Sequence, residues 1–428
     1  MSRKTSPNPP KVALLFRYGA AEHMTFLPAL EALAKNLART HEVHHVGMNS
    51  PLRVPDGLHA SLRVRKLPFT VRRKSTFDKF FKAAVWIALL PFIAVWLRLS
   101  GYRGVFVDEA VPLTAPILRL FFGRRVAFTL HDFFVDIYLE PKPLLRPAGR
   151  FIKWIDRSAW RTLPLILCRV EAAKRRLVSA GFDPARIVVA CDPCDLALFS
   201  PGDRAAARRE LDLPPGAFIL VHHGVMHPNK GNDRLVRAAA RLRETLPDLL
   251  LLLVGDGPAM GGLRKLCVEL GCESSVRFTG WVPDIATVSR YLQASDAAVA
   301  LRIGQPGDHF HVTSTLAHNL ATGLPTLAAR LEGFAEIVQD GRNGLLFDPA
   351  VGDEFDAALT RLHADARLRG ELAANGRRTA LRLFDVDRVA TTMAGALRSM
   401  MNDEPPGGGG EQRDQDQPEQ PGPPGGRG

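Results

Sequence analysis

Short apolar runs alternate with amphipathic stretches along most of this chain. Apolar or β-branched runs at residues 12–16, 42–47, 62–67, 105–108, 125–130, 163–168 and 187–190 predict strands. Helical spacing fills most of the gaps, as at 26–39 and 170–180. A polar, proline-containing pause at 192–204 interrupts the rhythm. Strands are then predicted at 218–221, 249–254, 276–279, 297–301, 326–328 and 345–347, with helices such as 232–244 and 313–322 between them. Apolar strands alternating with helices belong to parallel sheets covered on both faces. The expected fold is α/β, with two Rossmann-like doubly wound domains facing a cleft. Ligands in such sheets bind beyond the carboxyl ends of the strands.

One segment breaks the rhythm. Residues 80–97 read FFKAAVWIALLPFIAVWL, after the basic Arg72, Arg73, Lys74 and Lys79, with Lys82 near the start of the run and Arg98 just beyond it. Its length approaches a bilayer span. Crossing a membrane here, however, would put the strands on either side of it in different compartments. The segment is therefore expected to lie in a membrane interface. Trp86 and Trp96 would sit at the headgroup level, and Arg72, Arg73, Lys74 and Lys79 on the phosphates. A buried core helix is the alternative, with a true span third.

Charge strengthens that expectation. Of the 428 residues, the first 200 hold 31 Lys and Arg against 15 Asp and Glu, a net +16, whereas the remainder is −4. A basic half implies an anionic partner. No Cys/His finger, RNP-type strand or basic zipper is present, so a membrane surface is favoured over nucleic acid. Five cysteines form no disulfide framework and suit a reducing compartment. The lone Cys191-x-x-Cys194 pair, without a second ligand pair, reads as a loop before it reads as zinc or redox chemistry. No early apolar run has the length of a secretory signal. Residues 1–10 and 401–428 are polar and rich in Pro or Gly, and are expected to be disordered.

The second half carries four blocks in order: HHGVMHPNKGNDRLVRAAARL from residue 222, LLLLVGDGP from 250, VRFTGWVPD from 276, and ATGLPTLAARLEGFAEIVQDGRNGLLFDP from 321. Together they resemble the retaining GT-B glycosyltransferases of family 4, which use nucleotide-sugar donors. In the first half, VALLFRYGA, EVHHVG, the strand ending at His131-Asp132 and CDPCDLALFSP at the junction have looser family counterparts. The resemblance implies a disordered start at 1–10, an acceptor-binding domain at 11–195, a donor-binding domain at 196–385, a return helix at 386–400 packing on the first domain, and a disordered tail at 401–428.

The resemblance also implies site residues. Lys230, just before Gly231 and a helix, matches the lysine that reaches the donor diphosphate, where a cation stabilises the leaving group. Gly224 falls in the same loop. Residues 311–315 open a predicted helix. Free N–H groups and the dipole make such a turn an anion site through Thr313, Ser314 and Thr315; plain N-capping by those hydroxyls is the alternative. Glu336 matches a glutamate near the donor side of the cleft, or else caps its own helix. Gly19 matches the glycine of the first loop, and His131 a strand-end histidine near the transferred sugar. His131 and Lys230 are the candidate catalytic residues. No metal or other cofactor is expected, because the nucleotide sugar is a co-substrate.

Two departures stand out. The family's G-R-L before the lysine is Gly224-Val225-Met226 here. Its two acidic residues spaced eight apart fall on Phe310 and His318. Histidines 222, 223, 227, 309, 311 and 318 crowd these segments, and an imidazole can hydrogen-bond phosphate or ribose. The expected protein is a glycosyltransferase, peripheral on the cytoplasmic face of the cell membrane, acting on a lipid-linked or other membrane-surface acceptor. The alternative is a catalytically silent GT-B scaffold or binding subunit.

Overall fold

The computed structural model describes residues 9–16, 27–38, 40–49, 62–70, 76–107, 111–130, 135–136, 139, 142–310 and 312–402. The first part runs β1 (Lys11–Phe16), α1 (Leu27–Leu37), β2 (Glu42–Asn49), β3 (Arg63–Thr70), α2 (Thr76–Leu99), β4 (Tyr102–Val107), α3 (Thr114–Phe122), β5 (Val126–Leu130), α4 (Arg146–Trp160), β6 (Leu165–Cys168), α5 (Glu171–Ser179) and β7 (Ile187–Val189). The second runs α6 (Arg204–Glu210), β8 (Phe218–His223), α7 (Asn232–Leu242), β9 (Leu249–Val254), α8 (Met260–Glu269), β10 (Val276–Gly280), α9 (Ile285–Gln293), β11 (Ala297–Ala300), α10 (Ser314–Ala321), β12 (Thr326–Ala329), α11 (Glu332–Ala335), β13 (Leu345–Phe347), α12 (Gly352–Ala364) and α13 (Ala366–Leu383). A final helix, α14 (Val386–Met401), follows.

The strands form two parallel sheets, ordered β3-β2-β1-β4-β5-β6-β7 and β10-β9-β8-β11-β12-β13. Each order reverses once, between β1 and β4 and between β8 and β11, and a crevice opens at such a point. Side-chain alternation along β1 shows why both faces need helices. Val12, Leu14 and Phe16 pack in one core with α1 and α14, while Ala13 and Leu15 pack in the other with α2 and α3. The second core continues through Cys194 and Phe199 at the junction into the second sheet. Helix α14 crosses back and packs on α1. The crossing is fixed where the Cys194 N–H donates to the Phe384 carbonyl at 2.8 Å.

The 80–97 segment lies within α2. Its residues Trp86, Leu90, Ile93, Ala94 and Leu97, at helical spacing, are buried against the sheet. Trp86 therefore does not contact a membrane: it is 1% exposed, and its Nε1 donates to Thr114 Oγ1 at 3.3 Å. An indole so deep in the core serves packing and satisfies its own N–H. Trp96, by contrast, is 41% exposed, alongside exposed Phe92, Val95 and Leu99. No helix among the described residues is long and apolar enough to cross a membrane. Gly19, His131, Arg72, Arg73 and Lys74, named above, lie outside the described residues, as do both expected disordered ends but for residues 9, 10, 401 and 402. Lys79 lies in α2, with its side chain outside them.

Candidate functional site

The crevice of the second sheet is built from the loop after β8 and the loop leading into α10. The first loop is held by backbone. Gly224 has φ 123°, its N–H donates to Val254 O at 2.9 Å, and Met226 N–H donates to Asp256 O at 3.0 Å. The glycines of the GDGP turn explain this contact. A Cβ on Gly255 would lie 2.1 Å from Gly224 O, and one on Gly257 2.4 Å from Met226 O. Any side chain there would push the two loops apart.

The loop then makes a short 3-10 turn at Pro228–Lys230, in which the Asn229 N–H donates to the His227 ring and the Lys230 N–H to the His227 carbonyl, and breaks at Gly231 with φ 73° before α7 begins. Lys230 is half-buried at the end of this turn. Its ammonium lies close enough to His222 and His223 to help hold their pKa values down.

Helix α10 opens beside the same strand end. Thr313 is extended, with φ −93° and ψ 145°, and its side chain does not cap the helix. Its hydroxyl is buried with no partner among the described residues. Thr315 Oγ1 donates to His223 O at 3.2 Å, and a Cβ on Gly224 would lie 3.7 Å from it. This hydrogen bond ties the start of α10 to the end of β8. Thr315 is thus spent on positioning, and the backbone N–H groups of the first turn remain the anion-directed feature. Lys230 and Thr315 thus each bear on the end of β8, which Gly224 follows directly, and Thr313 and Ser314 precede Thr315 in the chain.

The histidines do not act as one cluster. His223 Nε2 and His318 Nδ1 are 3.0 Å apart, and His318 stacks on Phe199 with ring centroids 3.8 Å apart. His222 Nδ1 donates to Val299 O at 3.1 Å. His227 turns to Asn229, and His309 lies 3.7 Å from Glu332; His311 lies outside the described residues. Burial pushes His222 down to about 4 and His318 down to about 3, and holds His223 well below its ordinary value. All three are neutral near pH 7. His223 Nδ1 is buried without a partner. Leaving a lone pair there costs less than burying an unpaired N–H. That tautomer makes His223 Nε2 the donor to His318, whose own Nε2 then carries its proton.

Glu336 lies elsewhere, at the seam between the domains. It follows α11, and its carboxylate reaches Arg175 on α5 of the first domain at 2.6 Å. The backbone N–H groups of Ala172 and Glu171, in the first turn of α5, lie near enough to favour its charged form. Burial raises its pKa despite these contacts. Next to it, the Arg176 guanidinium lies 4.4 Å over the Phe310 ring and donates to Asp136 at 2.9 Å. Arg175 and Arg176 went unread in the sequence, where they are two surface-type arginines in the second half of a helix. Only the docking of α5 on the second domain gives them a role.

A buried ion pair, Arg302 with Asp308 at 2.8 Å, shapes the loop before α10. Among the described residues no three His, Cys, Asp or Glu side chains stand together as metal ligands. Cys191 and Cys194 are free thiols, and burial pushes them up to about 11 and about 12, far from a reactive thiolate.

Residues 29–198 match the model of the family described as Glycosyltransferase Family 4, and residues 217–365 match that of Glycosyl transferases group 1. A D-inositol 3-phosphate glycosyltransferase of Actinosynnema mirum is 35% identical over 311 residues, 70% of each chain. A protein of the same name from Thermomonospora curvata is 33% identical over 274 residues, 60% of this chain and 61% of its own. The chain thus spans only about three fifths of the length of that relative. Among solved structures, Anabaena HepE in complex with UDP and glucose superposes with a TM-score of 0.68 at 19% identity, covering 90% of this chain and 99% of HepE. That likeness is one of fold.

Proposed function

The chain belongs to the family 4 glycosyltransferases and has the GT-B fold, and from that premise we propose that it transfers a sugar from a nucleotide-sugar donor to an acceptor at a membrane surface, with retention of configuration. The observation that carries the donor half is the convergence at the β8 end. Lys230 acts on His222 and His223, and Thr315 bonds the His223 carbonyl, which supports a cation and an open helix start facing one ligand near the end of β8. A diphosphate held there meets positive charge from both. No metal is needed for that task in this reading.

The bond from the sugar's anomeric carbon to phosphate breaks with the electron pair going to the diphosphate. The acceptor oxygen forms the new bond on the same face, and its proton passes to the departing phosphate oxygen. No pair of enzyme carboxylates is required, which accommodates Phe310 and His318 where relatives carry acids. His318 is buried and stacked on Phe199, so the imidazole in place of the second acid serves packing at the domain junction. Gly19, His131 and Glu336 remain part of the proposal. The first two would border the sugar, and Glu336 would border the donor indirectly, through the domain seam.

The acceptor half rests on the basic first domain and the exposed apolar ridge of α2. The proposed location is the cytoplasmic face of the cell membrane. A soluble phosphorylated polyol is the second reading, favoured by the relatives' name.

The test begins with UDP-, GDP- and ADP-sugars as thermal stabilisers of the purified chain, since a bound donor raises stability by mass action. No stabilisation at millimolar concentration would leave a silent scaffold. With the donor identified, Lys230→Ala is expected to lower turnover by about 100-fold or more. An unchanged rate would remove Lys230 from the mechanism. Inositol phosphate and a lipid-linked sugar, offered as competing acceptors, separate the two readings of the acceptor.

A further inference from the structure

Helix α4 carries a surface that sugar transfer does not use. Its inner side is anchored: Trp160 packs on Phe128 with ring centroids 4.8 Å apart, and buried Asp156 accepts from Leu113 N–H at 2.8 Å. These anchors turn the opposite side outward. Phe151 is 62% exposed and Trp154 66%, their rings stacked 6.1 Å apart, and Leu144 just before the helix is 94% exposed. From 142 to 161 every charged residue is basic except Asp156, which is buried. Stacked aromatics in water beside charge of one sign fit neither a solvated helix face nor a core. They fit a bilayer boundary, where rings sit at headgroup depth and Arg or Lys meets lipid phosphate.

We propose that α4, through Leu144, Phe151 and Trp154 flanked by Arg146, Arg150 and Arg157, is the element that docks this protein on an anionic lipid surface. It lies in the same helical layer as α2 and α3, on the same face of the sheet. Charge distinguishes the two exposed stretches: Phe92, Val95, Trp96 and Leu99 of α2 have Arg98 as the single charged residue between 83 and 99, and the other basic residues of that helix, Lys79 and Lys82, fall near its opposite end, so this ridge extends the apolar contact and supplies little of the electrostatic attraction. The inference deepens the membrane-surface reading above and rests on it.

The experiment is co-sedimentation of the full chain with vesicles of phosphatidylglycerol and phosphatidylcholine, against phosphatidylcholine alone. The wild type is expected to bind the anionic vesicles and to be released by salt. Phe151→Ser with Trp154→Ser is expected to reduce partitioning by about tenfold or more. Trp96→Ser should reduce it less. Arg146→Gln with Arg150→Gln should weaken binding to anionic vesicles alone. Nucleotide-sugar stabilisation, where the wild type shows it, should persist in every variant.

If the wild type binds and both double variants bind equally well, α4 is not the docking element, while the membrane reading stands. A wild type that stays in the supernatant overturns both. Sedimentation velocity showing a lipid-free dimer abolished by Trp154→Ser would assign the face to a second copy and overturn the proposal.

Discussion

At the scale of single residues, the buried imidazoles make the clearest commitment. His222 and His318 have folded pKa values of about 4 and about 3, below the ordinary 6.5. Above pH 6.5 neither state binds a proton there, and their contribution to stability is fully present. Between 6.5 and the folded values the unfolded chain takes up protons that the folded chain refuses, so stability falls with falling pH. Thermal melts are expected to drop steadily from pH 6.5 towards 4, and His318→Gln should flatten part of that slope. A melting temperature independent of pH across this range would mean these rings are not buried as described.

The same residues mark a limit of reading sequence. That histidines crowd the donor segments is visible in the letters. That His223 and His318 meet, while His222 and His227 turn elsewhere, depends on β8 and α10 lying side by side. No periodicity in either segment reports that. Lys230 was legible because its neighbour Gly231 and the following helix fix where it must be.

At the scale of elements, strands and helices were legible because the apolar period changes from helix to strand and glycines mark the turns. Helix α2 shows where that reading fails. Its segment is apolar nearly all round, so no moment tells its buried face from its exposed one. Trp86 went inward and Trp96 outward, and only the packing of α2 on the sheet decides between them. Helix α4 has the opposite composition and hides one buried acid.

The Asp156 carboxyl is pushed up to about 7 by burial, opposed by the Leu113 N–H it accepts. Its folded value is raised, so its contribution to stability is present below the unfolded value near 3.8 and is lost as pH rises through 7. Asp156→Asn keeps an oxygen for the Leu113 N–H and removes the charge. It is expected to stabilise the protein at pH 8 by roughly 1–3 kcal/mol relative to its effect at pH 5, measured by denaturant unfolding at the two values. Equal effects at both would remove the burial argument for α4.

At the scale of the whole molecule, two doubly wound sheets and their cleft followed from alternation alone. The seam between them did not. Arg175, Glu336, Arg176 and Phe310 meet because α5 docks on the second domain, a relation between segments far apart in sequence. The return of α14 is the other long-range feature. Its residues Val389, Ala390, Met393, Ala394, Leu397 and Met400 fill one core of the first domain, and Met401 lies so close to Gly104 that a Cβ there would fall 2.3 Å from its Sδ.

A chain stopped at Phe384 is therefore expected to lose its first domain. The yield of soluble protein should fall and near-UV circular dichroism from that domain should disappear. A well-folded truncated chain would show that α14 is dispensable.

The same geometry sets an order in time. Domains usually complete themselves as they leave the ribosome, the earliest-made first. Here the wedge that closes the earliest-made half is encoded at its far end, after the entire second half. While α14 is still in the exit tunnel, Leu30, Leu33 and their neighbours wait uncovered. The half synthesised first is the half finished last, and its greasy side stays exposed to chaperones, or to a nearby bilayer, for the whole of translation.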